Sequence, residues 1–343
     1  MTERNVCPTE LAPGQGLATR LVAAVTIIVV GVAAVIIYVK TKSATEAGNR
    51  VLEQSAQYDM AGLQKVDPAL IQWKEVARID TGIPTARAIA VNPAGELFVG
   101  GDNVVRRMKR GGERIGDISV KGVVQALACD ANGNLFVAFG EHVELYAADA
   151  TPKAVFASLG GKAQITSIAV GGGNVFIADF GNRVVHACDM SGKVLNVIGR
   201  EDRKRNMAGL NLPSPHMDVA VAADGTVWIA NTGRWRLENY SPEGDLNRYW
   251  GEGGSAIEKF VGCCNPADFC LLADGSFVTA EKGALRVKHY LPDGRMKSVV
   301  AAAQSFPKST IGLDVAADGM KRVLVLARGT GMVFVFEPKE GTP

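Results

Sequence analysis

Six stretches of this chain repeat one pattern, and that repetition limits the fold more than any other feature. They are AIAVNPAGELFVGGDNVV (88–105), ALACDANGNLFVAFGEHV (126–143), SIAVGGGNVFIADFGNRV (167–184), VAVAADGTVWIANTGRWRL (219–237), CLLADGSFVTAEKGALRV (270–287) and DVAADGMKRVLVLARGTGMV (314–333). Each reads as an apolar strand, a turn rich in Asp, Asn or Gly, a second apolar strand, a Gly-containing loop and a third strand. In most units a fourth strand follows, as in SGKVLNVIG (191–199) and EGDLNRYWG (243–251). Four-stranded units recurring about every 40 to 48 residues predict the blades of a β-propeller. Six units predict six blades. The last unit ends at FVFEPK without a fourth strand, whereas WKEVARIDTG (73–82) is a strand without a unit. The expectation is that 73–82 completes the last blade from the N-terminal side, because an open ring would leave strand edges exposed.

The chain resembles the NHL-repeat family of β-propellers over about residues 73–338, most closely in IADFGNRVVHACDMSGKVLNVIG of the third unit. Units four and five keep the pattern, and units one, two and six are looser. The resemblance implies a non-catalytic binding platform, since such propellers serve as platforms more often than as enzymes.

Ahead of the repeats, LVAAVTIIVVGVAAVIIYV (21–39) carries no charge and lies between Arg20 and Lys40. Nineteen helical residues span about 28 Å, close to a bilayer core of about 30 Å. The run is also longer than the apolar region of a cleaved signal peptide. The expected organisation is a tail (1–20), one transmembrane helix (21–39), a linker (40–72) and a six-bladed all-β propeller (73–340). Within the linker, VLEQSAQYDMAGLQ reads equally as a short helix or as a spacer. Arg4 and Arg20 precede the span and Lys40, Lys42 and Arg50 follow it, a positive-inside count that by itself points to a cytoplasmic C-terminal domain. A single span before a large domain nevertheless commonly exports that domain, so the expected location is a single-pass membrane protein with an extracytoplasmic propeller.

With 37 basic and 35 acidic residues in 343, the net charge of +2 does not point to nucleic acid. In a propeller blade, the loop between the second and third strands shares a face with the link arriving from the preceding blade. On this top face, NTGRWR (231–236), AEKGAL (280–285), LPSPH (212–216) and GCCNP (262–266) should meet around the fourth and fifth blades. The links near 200–215 and 252–266 are long, and long loops in compact domains are commonly functional.

The expected site for a protein or anionic partner therefore combines Arg234, Trp235, Arg236, His216, Glu281, Lys282, Cys263, Cys264 and Asn265. Arginine presents a planar fork to carboxylate or phosphate, and Trp235 between two arginines offers a stacking surface. REDRKR (200–205) and Arg286 add cations, although Arg286, alternating with Lys288 along a strand, also reads as structural.

Three readings of FVGCCNPADFC (260–270) stay open: loop thiols beside a buried Cys270, a disulfide, or a metal or redox site to which His216 adds a ligand. Adjacent cysteines make a poor zinc pair, and no second CxxC or HxxH exists. Cys129 and Cys188 read as core filling. His186 and His289 read as corresponding third-strand positions. Alternatives to the platform are a redox-associated or metal-binding accessory protein using Cys263 and Cys264, or a propeller hydrolase or lyase. Mostly Ala, Val and Leu at inward positions count against the enzyme, with Asp218 and Asp268 read as the only matched carboxylates.

Overall fold

The computed structural model describes residues 59–205 and 207–341. The expected span at 21–39 lies outside them. Among the described residues, no helix is long and apolar enough to cross a membrane.

Six antiparallel blades form the fold. Their inner strands are Ala88–Val91, Ala126–Cys129, Ile165–Gly171, Val219–Val221, Asp268–Leu271 and Gly312–Ala317. Blades II to V each run outward through four consecutive strands. In blade I the element Leu97–Met108 pairs with the inner strand through Leu97–Gly100 and with Arg114–Val123 through its second half. Glu96 and Arg107 form an ion pair at 2.8 Å. Eleven extended residues would separate them by about 36 Å. The element therefore folds back on itself and supplies both the second and third strands.

Ring closure follows the expectation. Trp73–Asp80 pairs antiparallel with Met332–Pro338, in a register from Trp73 opposite Pro338 to Asp80 opposite Met332. Blade VI thus takes its outer strand from the start of the domain. Buried apolar residues fall into clusters between neighbouring blades, and one of them joins Leu324, Leu326 and Val333 of blade VI to Ile89, Leu97 and Val99 of blade I. An open ring would lack that cluster.

The first hairpin of each blade shows why the sequence turns where it does. In blade IV, Gly225 sits at φ 82°, where only glycine is unstrained, and Asp224 accepts from the Thr226 amide at 3.0 Å and its hydroxyl.

The segment before Trp73 is docked. Met60–Leu63 makes one helical turn and Pro68–Leu70 a 3-10 turn. Val66 is buried against Val299 and Ala302 of blade V, and Ile71 bridges to Val299. Residues 51–58 of the stretch expected as a short helix or a spacer lie outside the described residues, and within its end Met60–Leu63 is helical.

Candidate functional site

The second-to-third strand loops of blades III, IV and V each carry a left-handed residue at the same repeat position near the start of the third strand: Arg183 (φ 56°), Trp235 (φ 52°) and Leu285 (φ 48°). The Trp235 backbone is therefore repeat geometry. The turn lets the inter-blade link approach closely. A Cβ on Gly233 would lie 2.6 Å from the Asn211 carbonyl oxygen, too close for any side chain.

One position ends the second strand in each blade, following an alanine in blades III to VI: Asp179, Asn231, Glu281 and Arg328. The first three are buried and hold their own blade's incoming link. Asp179 accepts from the Gln164 amide at 2.9 Å, Asn231 from Asn211 at 3.0 Å and Glu281 from Val261 at 3.2 Å. Burial works against the Asp179 carboxylate, but bonds from His186, Asn182 and Gln164 outweigh it and hold its pKa at about 2.

These contacts redistribute the expected residues. Glu281 is internal: it binds Arg286 at 2.6 Å and lies 3.4 Å from Lys288, all three with buried side chains. Arg286 is thus a structural cation and does not contribute to the surface. Burial lowers the Lys288 pKa to about 8 despite Glu281. Arg236 is also engaged, with Nε 2.7 Å from Glu238 and its guanidinium 3.8 Å from the Tyr249 ring. Glu238 is further bonded by Asn231 at 2.9 Å and Tyr240 at 2.6 Å. Arg234 is more open, its Nη1 3.8 Å from the same carboxylate.

Trp235 does not offer a stacking face between arginines. Its indole N–H donates to the Gly262 carbonyl, and Gly253 lies against the ring. That bond does bring the tryptophan loop onto the cysteine loop. Asn265 completes the junction, accepting from the Lys282 amide at 2.7 Å and donating to the Lys282 carbonyl at 3.1 Å. Cys263 is exposed, whereas Cys264 is buried.

The His186 and His289 positions do not correspond. His186 pairs with Ile177 and reaches Asp179 at 3.1 Å, whereas His289 pairs with Val278 and bonds Ser276 at 3.0 Å. Lys288 occupies the place equivalent to His186. A shift of one residue along a strand turns the side chain to the other face.

Two cavities remain around the inner strands. The first, of 240 Å³, opens on the top face between blades V and VI and is lined by His216, Ala267, Ala280, Glu281, Lys282, Ile311, Gly312, Leu313 and Arg328. Arg328 was not expected from the sequence. Its signal lies in the repeat alignment, where LAR in unit six stands against IAD, IAN and TAE. Arg328 donates to the Arg87 carbonyl at 2.6 Å and its charge acts on Asp268, but neither it nor Lys282 makes a salt bridge to a described carboxylate. Burial, with the Lys282 and Arg328 charges, lowers the His216 pKa to about 4, so its imidazole is neutral at pH 7.

The second cavity, of 270 Å³, is the axial channel lined by the inner strands. It contains three matched carboxylates. Asp314 joins Asp218 and Asp268, and its signal was the leading Asp of DVAADG. Each accepts an amide from the next blade's inner strand: Asp218 from Phe269 at 2.6 Å, Asp268 from Val315 at 2.9 Å and Asp314 from Ile89 at 2.6 Å. Ser167 occupies the same place in blade III, accepting from Val219 at 3.3 Å and donating to Asp218 at 2.5 Å. Burial raises the Asp218 pKa to about 7. Asp268 is raised well above the usual range by burial and by the Asp314 charge. Among the described residues, no group of three or more His, Cys, Asp or Glu side chains is arranged to hold a metal ion.

No family model matches the chain, and no curated protein does either. Solved structures do. A gluconolactonase from Xanthomonas campestris superposes with a TM-score of 0.56 at 14% identity, covering 76% of this chain and 88% of its own. A streptogramin B lyase gives 0.52 at 11% identity, covering 74% and 79%. A protein of unknown function from Bacteroides thetaiotaomicron gives 0.56 at 12%, covering 77% and 72%. These similarities show the six-bladed propeller fold.

Proposed function

We propose that this propeller is a non-catalytic, NHL-type binding platform whose top face takes an anionic group, a carboxylate or phosphate presented by a protein or a small molecule. The observation that carries this reading is the charge balance of the blade V–VI pocket. Lys282 and Arg328 line it without an ion-pair partner among the described residues, His216 is neutral at pH 7, and the lining carboxylate, Glu281, is already bound by Arg286. Relative to the nine residues expected from the sequence, the centre of the site moves from blades IV–V to blades V–VI. His216 and Lys282 stay in it and Arg328 joins. Trp235, Cys263, Cys264 and Asn265 form the neighbouring wall, while Arg236 and Glu281 support the loops from within.

The axial carboxylates favour a platform over a hydrolase or lyase, because each is engaged in holding the next blade. Tethering through residues 21–39, with the propeller outside the cytoplasm, completes the reading.

Titration of the detergent-solubilised full chain with inorganic phosphate tests it. A hydrogen bond to a charged group contributes about 1.5–3 kcal/mol, or roughly ten- to hundredfold in affinity. Lys282→Ala and Arg328→Ala should each weaken phosphate binding by about that factor. Parent-like affinity in the double variant would defeat the reading.

A further inference from the structure

We propose that Cys263 and Cys264 form a redox-active dithiol that closes reversibly to a disulfide, with Cys263 meeting the oxidant and Cys264 resolving it. Their sulfur atoms are already 3.1 Å apart. The pair is asymmetric in the way this division of labour requires: Cys263 is exposed, while Cys264 is 8% exposed. The Ser214 hydroxyl donates to the Cys264 sulfur at 2.8 Å and fixes it beside its neighbour.

The surrounding backbone is held on both sides. The Val261 amide binds Glu281, the Gly262 carbonyl accepts from Trp235, and Asn265 is bonded through both side-chain atoms to Lys282. Adjustment on oxidation is thus confined to the two cysteines. Adjacent Cα atoms lie about 3.8 Å apart, below the roughly 4.4 Å lower bound of a relaxed disulfide. Such a bond is strained and easily reduced, which suits a reversible couple better than a structural staple.

Of the remaining described cysteines, Cys188 is buried and Cys129 and Cys270 are partly exposed. Burial pushes the Cys129 thiol up to about 12 and Cys188 up to about 11, and raises Cys270 well above its usual range. They lie on strands of blades II, III and V. Thiolate is the reacting form, so these three are poor nucleophiles. Burial raises the Cys264 thiol as well, but the Ser214 hydroxyl works against it and the Cys264 sulfur already lies 3.1 Å from the sulfur it attacks.

The oxidant is a small disulfide such as oxidised glutathione. The Cys263 thiolate attacks one of its sulfurs, forming a mixed disulfide and releasing one glutathione. The Cys264 sulfur then attacks Cys263 Sγ, forming the Cys263–Cys264 bond and releasing the second. The two cysteine protons end on the two released thiols, and the protein loses two electrons to the oxidant. This exchange is independent of what occupies the blade V–VI pocket.

Oxidised glutathione added to the reduced full chain, followed by acid quench, thiol counting and peptide mass mapping, tests the exchange. The expected product has lost the thiols of Cys263 and Cys264 and carries no glutathione on either. Its bridge should lie within the 263–264 peptide, and dithiothreitol should restore both thiols. Cys264→Ser should stop at a glutathione adduct on Cys263. Parent protein that accumulates glutathione on Cys263, or retains both thiols while the glutathione couple is fully oxidised, overturns the proposal. Both of those readings come from the parent chain, so they stand even if the variant fails to fold.

Discussion

Blades I and II are built differently from blades III to VI, and the difference follows the length of the links between blades. At the position that fastens one inner strand to the next, blades III to VI carry Ser167, Asp218, Asp268 and Asp314, whereas blades I and II carry Ala88 and Ala126. At the end of the second strand, blades III to VI carry Asp179, Asn231, Glu281 and Arg328, whereas blades I and II carry Gly101 and Phe139. The link from blade I to blade II is only Val124 and Gln125, while the links into blades IV and V run from 199 to 218 and from 251 to 267. A two-residue link is fixed by the strands at its ends. A long link brings backbone N–H and C=O groups that need partners inside the fold. The buried polar residues of blades III to V supply them, and the candidate site is assembled on loops that these residues hold in place.

Closure of the ring should dominate any such local difference. Deleting Trp73–Asp80 removes the partner of Met332–Pro338 and the Trp73 contacts to Ser298 and His289. The expected result is loss of cooperative unfolding, because the loss approaches the roughly 5–15 kcal/mol that stabilises a whole domain. Deleting 59–66 removes Val66, a helical turn and the exposed Gln64 bond to the Gly283 carbonyl, with an expected cost of about 1.5–3 kcal/mol. Equal melting temperatures for the two deletions would show that the ring does not depend on its closing strand.

The next effect concerns the axial fasteners. Asp218→Ala leaves the Phe269 amide and Ser167 hydroxyl without their acceptor, at about 1–3 kcal/mol each. Asp218→Asn keeps an acceptor oxygen and removes the titrating group. The folded pKa of about 7 lies above the ordinary value of 3.8. Its stabilising contribution is therefore present at acid pH and lost as pH rises from about 4 through 7. His216 acts with the opposite sign, its folded pKa of about 4 lying below 6.5, so its contribution is lost as pH falls through that window. Denaturant midpoints at pH 5 and pH 7.5 should show Asp218→Asn gaining on the parent as pH rises. A pH-independent difference would mean that Asp218 is ionised throughout.

Much of this architecture was legible in the chain because a repeat constrains many residues at once. Six units and an unmatched strand at 73–82 sufficed to place the blades and the closure. The convergence of His216, Cys263, Trp235 and Lys282 followed from topology alone. Which polar side chains would be used up was not legible. Arg236 and Arg234 are two residues apart on one loop, and only the location of Glu238 and Tyr249 separates the engaged arginine from the open one. Asp314 and Arg328 were readable in principle, since both stand at repeat positions whose other members were noticed. Both lie in unit six, which with units one and two follows the pattern more loosely, and that hid the correspondence.

The smallest expected effect separates those two arginines. Arg236 bonds Glu238 and stacks on Tyr249 with 17% of its side chain exposed, so Arg236→Ala leaves a buried carboxylate short of its main partner. A cost of about 1.5–3 kcal/mol is expected. Arg234 is 30% exposed and stands 3.8 Å from a carboxylate that already has closer partners. Exposed pairs contribute about 0–1 kcal/mol, so Arg234→Ala should leave the midpoint nearly unchanged. It should also leave phosphate affinity unchanged, because the pocket between blades V and VI does not include it. If Arg234→Ala instead weakened phosphate binding as much as Lys282→Ala, the anion would be bridging the loops of blades IV and V. The polar scaffold of blade IV would then belong to the site and not only to the support beneath it.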